Sequence, residues 1–513
     1  MSAATWRLRR GFWNRYQRFV FRAAKPLDVP VPKPLPPVRE VPFSDLYPHT
    51  PISGIVVAHR APEDEFNRAV LVVKRLQLRL YRAISPMQRG LPPIHADPHR
   101  ALAAAYPPRH QRLHRPPVRP PEYDCPERPG GVDLGGLAVA SPYACALAID
   151  DTGAPAWDLS CLGGFETHPD LVAPAARVEF EVVAGRRRLE AVHIDSELGS
   201  AAPGDRSWHA SVRLALCAVS TSVSLVRHFN WVHLVVGGPL AIATHNELPH
   251  DHPLARLLRP HVYATSFGNQ IVTIDQMGRG GDFENIFSFT HEGLCKLFES
   301  TAGECDLRRF HPERDLELRR IEALPIDMPA HDNRVELFGV IRDHVVRYLA
   351  IYYGCDDALR SDAPFARWVA ELERVIPRGV RELAGAPVSL GGAADLLATF
   401  VYMGAVEHEI VDSGMWDYQL WNDVQPVRVH RDRQRVPLDV YQRLVNWNFS
   451  LNVDRTLLTT EFSNLALEEH RDEAQAEFRR FRRELMELQR RLDREPFAPW
   501  RMEPRFLKAN INY

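Results

Sequence analysis

No stretch of this 513-residue chain strings together the roughly 18 uncharged apolar residues that argue for a bilayer-crossing helix. Its first 26 residues lack the apolar centre of a signal peptide. Cysteine is sparse: there are seven, scattered from Cys125 to Cys355 and never spaced Cys-x-x-Cys. That pattern argues against a disulfide framework and a zinc knuckle. Together these absences lead to the expectation of a reduced, cytoplasmic setting. Neither sign of charge dominates, with 63 Lys and Arg against 65 Asp and Glu and a formal net charge of −2. A global pull towards nucleic acid or an anionic membrane is therefore excluded. Glycine-rich phosphate loops and internal repeats are also missing.

Two residue types are abundant. There are 42 prolines, 22 of them in the first 130 residues, and 22 histidines. Six of these, His228, His233, His245, His250, His252 and His261, fall within 34 residues. The length suits one large domain, or one domain with a substantial extension. The natural division is a proline-rich arm with one or two helices over 1–130, packing on the rest, and a main domain over 131–513.

Within the arm, Leu8 to Ala24 sets five arginines between aromatic residues. At helical spacing this is a basic amphipathic segment, suited to an anionic membrane surface or to packing on its own protein with the arginines in water. Helical periodicity also predicts a helix over 62–84. Residues 133–147 and 176–195 read as strands, the second broken by a turn at Gly185. From Trp208 onwards the apolar period is that of helices, over about 208–235, 334–353, 364–374, 392–412 and 466–494. The fold class expected is mainly α, a helical bundle with long core helices and a small β element near its start.

Two places in this bundle carry metal-binding potential. His408 and Asp412 are four apart in an apolar stretch, so a helix puts them on one face. An imidazole and a carboxylate there suit a first-row divalent ion, or equally a buried His–Asp hydrogen bond. His228 and His233 are five apart in VSLVRHFNWVHLVV. A regular α-helix would separate them by about 140°, whereas a wider π turn brings positions i and i+5 together and tends to mark a functional site. His245, His250 and His252 read as loop residues, because Asn246, Pro249 and Pro253 punctuate that stretch.

Four stretches, each in its expected order, resemble the lipoxygenase family. PLAIATHNELPHDHPLARLLRPHVY, Pro239 to Tyr263, is similar to the family's Ala-Thr…His-Pro-Leu…Leu-Leu…Pro-His run. Glu336 to Asp362 resembles the family helix that ends in Ile-Tyr-Tyr. The segment from His408 through Asp412 and Gly414 to Tyr418 resembles the second iron motif, His-x3-Asn followed by Gly and a Tyr-Asp-Trp-like stretch. The closing PRFLKANINY resembles the tail whose final carboxylate is an iron ligand. The resemblance covers about 135–513.

It implies a helical catalytic domain holding one non-haem iron and acting as a dioxygenase. Hydrogen is abstracted from a 1,4-diene, such as a polyunsaturated fatty acid, and O2 is inserted to give a hydroperoxide. A changed oxidative reaction on a specialised metabolite, or a metal-free binding or regulatory relative, are the alternatives. The family's first iron helix reads His-x4-His-x4-His, and gapless counting from Trp208 puts Val223 where the first ligand belongs. The implied ligand set is therefore shifted to His228 and His233, with His408, Asp412 and the carboxylate of Tyr513. The family's Asn is here Asp412, and a second anionic ligand should lower the iron's potential. Gly268 falls where the family keeps a small Ala or Gly that biases oxygenation stereochemistry, and a Gly there implies R-type products, although a plain loop or helix-end glycine would look the same. The remaining expectations are lipid or other diene plus O2 as partners, no nucleic acid, a monomer, and peripheral membrane contact through residues 8–24.

Overall fold

In the computed structural model the chain is described over residues 118–421, 423–432 and 455–511, with 28–34 and a few isolated positions before them. The longest apolar stretch becomes its longest buried rod. Trp208–Thr221 is an α-helix (Trp208, Val212, Ala215 and Val219 buried), Ser222–Gly237 continues it in π form, and Gly238–Glu247 returns to α. By length and composition Trp208–Glu247 could cross a bilayer, but 78% of its most apolar window is covered by the protein's own side chains. Arg213 and Arg227 interrupt the run, and beyond them His228, Asn230, His233 and His245 do, which is why it falls short of an uncharged apolar span.

The other long helices pack on this rod or on one another. Pro329–Tyr352 packs on Leu390–Tyr402 and on Arg471–Leu492, while Ala363–Val375 packs on Gly238–Glu247. Arg471–Leu492 shows why the helical period is so plain here. Phe478, Phe481, Leu485, Leu488 and Leu492 recur at three- and four-residue steps and are all buried, with arginine and glutamate between them.

The β element is a four-stranded antiparallel sheet in the order β1 (Ala148–Ile149), β2 (Pro155–Asp158), β3 (Ala176–Val183), β4 (Arg188–Ser196). The predicted hairpin is present, with Gly185 at φ +72° in its turn. Trp157 pairs with Val178 in register, and both are fully buried.

The strand expected over 133–147 is instead a short α-helix, Leu134–Val139, and a 3-10 turn, Pro142–Ala146. Asp133 caps that helix by accepting from the Gly136 amide at 2.9 Å. Gly135 rests so closely on β4 that a β-carbon would lie 1.9 Å from the Leu189 carbonyl oxygen. An apolar run this short has no period long enough to separate helix from strand. The helix predicted over 62–84, the basic segment 8–24 and Tyr513 lie wholly or mostly outside the described residues.

Candidate metal centre

The rod's π segment determines where its histidines point. Its i→i+5 bonding extends over 16 residues rather than forming a single bulge. His228 and His233 therefore share a face, as the five-residue spacing required. The facing helix does the same around His408, which is flanked by two π turns, Met403–Glu407 and Ile410–Gly414.

The three rings converge. His233 Nε2 lies 3.1 Å from His228 Nε2 and 3.1 Å from His408 Nε2, and all three residues are buried. Burial is the leading cause that lowers each imidazole pKa: His228 and His408 fall well below the ordinary value, and His233 falls to about 4. At neutral pH these are three uncharged rings.

The tautomer of His233 follows from its neighbour. Asn269 Nδ2 donates to the His233 carbonyl at 2.7 Å, which leaves Asn269 Oδ1 to accept from His233 Nδ1 at 2.8 Å. With its proton on Nδ1, His233 presents a lone pair at Nε2. One lone pair cannot accept well from two imidazoles at once. A cation among the three nitrogens would satisfy all of them. A separation of 3.1 Å suits two ligands about 2.1 Å from a shared ion at slightly more than a right angle. The donor set therefore fits a first-row transition metal. Asn269 supplies the orienting hydrogen bond that metal-binding histidines normally have.

Asp412 is not brought into the triad. Its Oδ2 accepts from Lys508 Nζ at 2.7 Å, with both groups buried. Burial works to raise its pKa, but the Lys508 ammonium together with His228 and Arg455 outweighs burial and holds it below the ordinary range. His408 Nδ1 has no hydrogen-bond partner, so the alternative of a His408–Asp412 bond is also not formed. The pairing extends along this helix. Glu407 binds Arg227 Nε at 2.5 Å, and Glu409 binds Arg455 Nη1 at 2.9 Å. Each of these three carboxylates is matched by a cation from another element.

The chain end is laced in beside the triad. Leu458 donates to the Leu507 carbonyl and Ala509 to the Thr456 carbonyl, at 2.9 and 2.7 Å. His261 Nδ1 donates to the Ala509 carbonyl at 2.7 Å, and Asn510 Nδ2 to the Pro260 carbonyl at 2.9 Å.

Val223 is a buried apolar residue outside the triad. Gly268 is buried within the helix Thr265–Ile271, next to Asn269. His245 lies in the last turn of Gly238–Glu247 rather than in a loop, since that helix runs on until Leu248 turns extended. His252 caps the next helix through Nδ1 and binds Asp362 Oδ2 at 2.9 Å through Nε2. A surface groove of about 370 Å³ near Tyr123, His209 and Arg213 shares no residue with the triad. Phe229 stacks on His228 with ring centroids 4.3 Å apart and meets Phe283 in a tilted contact at the same distance, walling one side of the triad with apolar surface.

No family-level sequence profile matches the chain. Among curated proteins, it is 26% identical over 226 residues to the human hydroperoxide isomerase ALOXE3, covering 43% of this chain and 31% of that protein. It is 27% identical over 261 residues to a putative linoleate 9S-lipoxygenase 3 of rice, covering 46% and 28%. The matched stretch thus spans less than a third of either relative. Solved structures align more widely. A lipoxygenase carrying a Delta413-417:GS change superposes with TM-score 0.70 at 15% identity, over 99% of this chain and 82% of that one. The manganese lipoxygenase of Gaeumannomyces graminis superposes with TM-score 0.61 at 15% identity, over 70% of each.

Proposed function

We propose, given that the chain belongs to the lipoxygenase family, that it is a non-haem metal dioxygenase converting a 1,4-diene, such as a polyunsaturated fatty acid, to a hydroperoxide. The observation that carries this reading is the buried convergence of His228, His233 and His408, all neutral and all presenting Nε2 to one point. Iron is the first assignment. Manganese is the alternative, because one structural relative is a manganese lipoxygenase.

A redox-active ion held by His228, His233 and His408 would supply one-electron oxidising chemistry towards a doubly allylic C–H bond. The chain's own residues do the rest. The three imidazoles hold the ion, Asn269 fixes the His233 tautomer, and Phe229 and Phe283 keep water from one side. The carboxylate of Tyr513 remains in the proposed ligand set, as the family tail implies. Gly268, next to Asn269 in the helix Thr265–Ile271, stays the proposed oxygen- or substrate-channel residue. A related structure holds arachidonate, which supports a fatty-acid-like substrate.

A second reading keeps the metal and changes the reaction to hydroperoxide isomerisation. It is favoured by the similarity to the human hydroperoxide isomerase. Metal analysis of the purified protein, coupled to oxygen uptake with a panel of dienes and to consumption of their hydroperoxides, separates the readings. Oxygen uptake with conjugated-diene absorbance supports the dioxygenase. A metal-loaded protein that consumes only hydroperoxides supports the isomerase, and a protein with no metal and no turnover defeats both.

A further inference from the structure

The residue pair that departs furthest from the expected ligand set is Asp412 with Lys508. On the sequence alone Asp412 is a second anion aimed at the metal. In the structure a cation from the chain end holds its carboxylate at 2.7 Å, both side chains being about 95% buried.

Lys508 is placed firmly. It forms an antiparallel bridge with Leu457, and the backbone bonds of Leu507 and Ala509 fix it from either side. Its charge reaches the whole centre, since the ammonium contributes to lowering the pKa of His228, His233 and His408 alike. Asp412 acts on His228 and His233 in the opposite sense. Two opposite charges thus lie beside the same three nitrogens in a dry interior, where charges interact far more strongly than in water.

Resting on the triad as a metal site, we propose that Lys508 is a positioning residue that withholds Asp412 from the metal and sets how strongly the centre binds and oxidises. With Lys508 in place, the pair is neutral as seen from the triad. A metal ion there lacks the full stabilisation of an adjacent carboxylate, so its oxidised state is less favoured and its potential is higher. Without the ammonium, Asp412 becomes an uncompensated anion one helical turn from His408 and is free to ligate. The pair is then a device for keeping a carboxylate at position 412 without the loss of oxidising strength that a second anionic ligand would bring.

The charge argument makes the two single substitutions act in opposite directions. Lys508→Met should tighten metal binding and lower the midpoint potential. Asp412→Asn, which leaves a buried ammonium unpaired beside the triad, should weaken binding and raise the potential. Each change in affinity should be on the order of tenfold or more. Asp412→Asn with Lys508→Met should return both quantities close to wild type.

The experiment is anaerobic titration of the full-length apoprotein with Mn(II), followed by electron paramagnetic resonance, and with Fe(II), followed by the midpoint potential of the loaded protein. His233→Ala is the control. Opposite shifts that cancel in the double variant establish the proposal. If wild type holds metal but all three variants bind more weakly, the pair is only a structural brace, and if none changes, the pair does not act on the centre. Either result overturns the role given to Lys508 while leaving the triad intact. A wild type that binds no more metal than His233→Ala overturns the triad itself and this role with it.

Discussion

Ile511 Cδ1 occupies the space beside Gly237 so fully that a β-carbon on the glycine would lie 2.2 Å from it. This contact joins the end of the π segment to the last described residue of the tail, and with it the element carrying two of the histidines to the element carrying Lys508.

Gly237→Ala should therefore displace the Ile511 side chain and, because its β-carbon would also lie 2.5 Å from the Val232 carbonyl oxygen, strain the π segment itself. Overpacking of this kind costs about 1–3 kcal/mol. The expected result is a lower unfolding temperature together with a loss of bound metal. Both are readable on one preparation by calorimetry and elemental analysis. Retention of full metal content would mean that the tail's seat does not matter to the centre.

The triad makes a direct prediction. His228→Ala, His233→Ala and His408→Ala should each reduce metal to background while preserving the far-ultraviolet circular dichroism of a helical protein. Full metal in His233→Ala would remove it from the ligand set.

Asn269 should matter nearly as much as a ligand. Asn269→Leu removes the acceptor that holds the His233 proton on Nδ1 and leaves the His233 carbonyl without its donor. Loss of such an orienting partner typically weakens metal binding about 10–100-fold. A competition assay against a chelator of known affinity measures it, and unchanged affinity would refute the tautomer argument.

The Arg227–Glu407 pair fixes the neighbours of His228 and His408 to one another inside the core. Glu407→Leu leaves a buried guanidinium unpaired and should cost about 3–5 kcal/mol, whereas Arg227→Met with Glu407→Leu should recover most of that loss. Urea denaturation of the apoproteins tests the cycle. Equal destabilisation in the single and double variants would show that packing, not charge, dominates there.

Acid should loosen the tail. Burial lowers His261 from 6.5 to about 4, against the opposing effect of its bond to the Ala509 carbonyl. The unfolded chain takes up the proton near 6.5 and the folded chain only near 4. The stability contributed by the neutral ring is therefore whole above about 6.5 and is lost as pH falls from there towards 4. His233 titrates in the same sense. His261→Gln should reduce by about one the protons taken up on unfolding in that window, as read from the slope of stability against pH.

How far the sequence reveals this protein depends on the range of each interaction. The five-residue interval between His228 and His233 is local, and a π turn follows from it once the two rings are asked to share one ion. The amphipathic helix over 471–492 is equally plain. Asn269 cannot be found that way, because its partnership with His233 spans 36 positions. Lys508 is 96 residues from Asp412, and nothing in PRFLKANINY marks its lysine as buried. The helix that stands where a strand is expected over 133–147 has the same root: Gly135 is held by close contact with Leu189 in β4, far along the chain. His245 reads as a loop residue from the helix breakers that follow it, and these act only after Glu247.

The long π segment has a consequence for how this chain can vary. Across Ser222–Gly237 the ligands are aligned by phase, so the number of residues between them matters more than their identity. Side chains between His228 and His233 can be exchanged if they still pack, whereas removing one of those residues would carry His233 round the helix axis, off the face it shares with His228. Changes in chain length are therefore tolerable only outside this window. A single-codon deletion anywhere between the two histidines should abolish the centre where most single substitutions there would spare it.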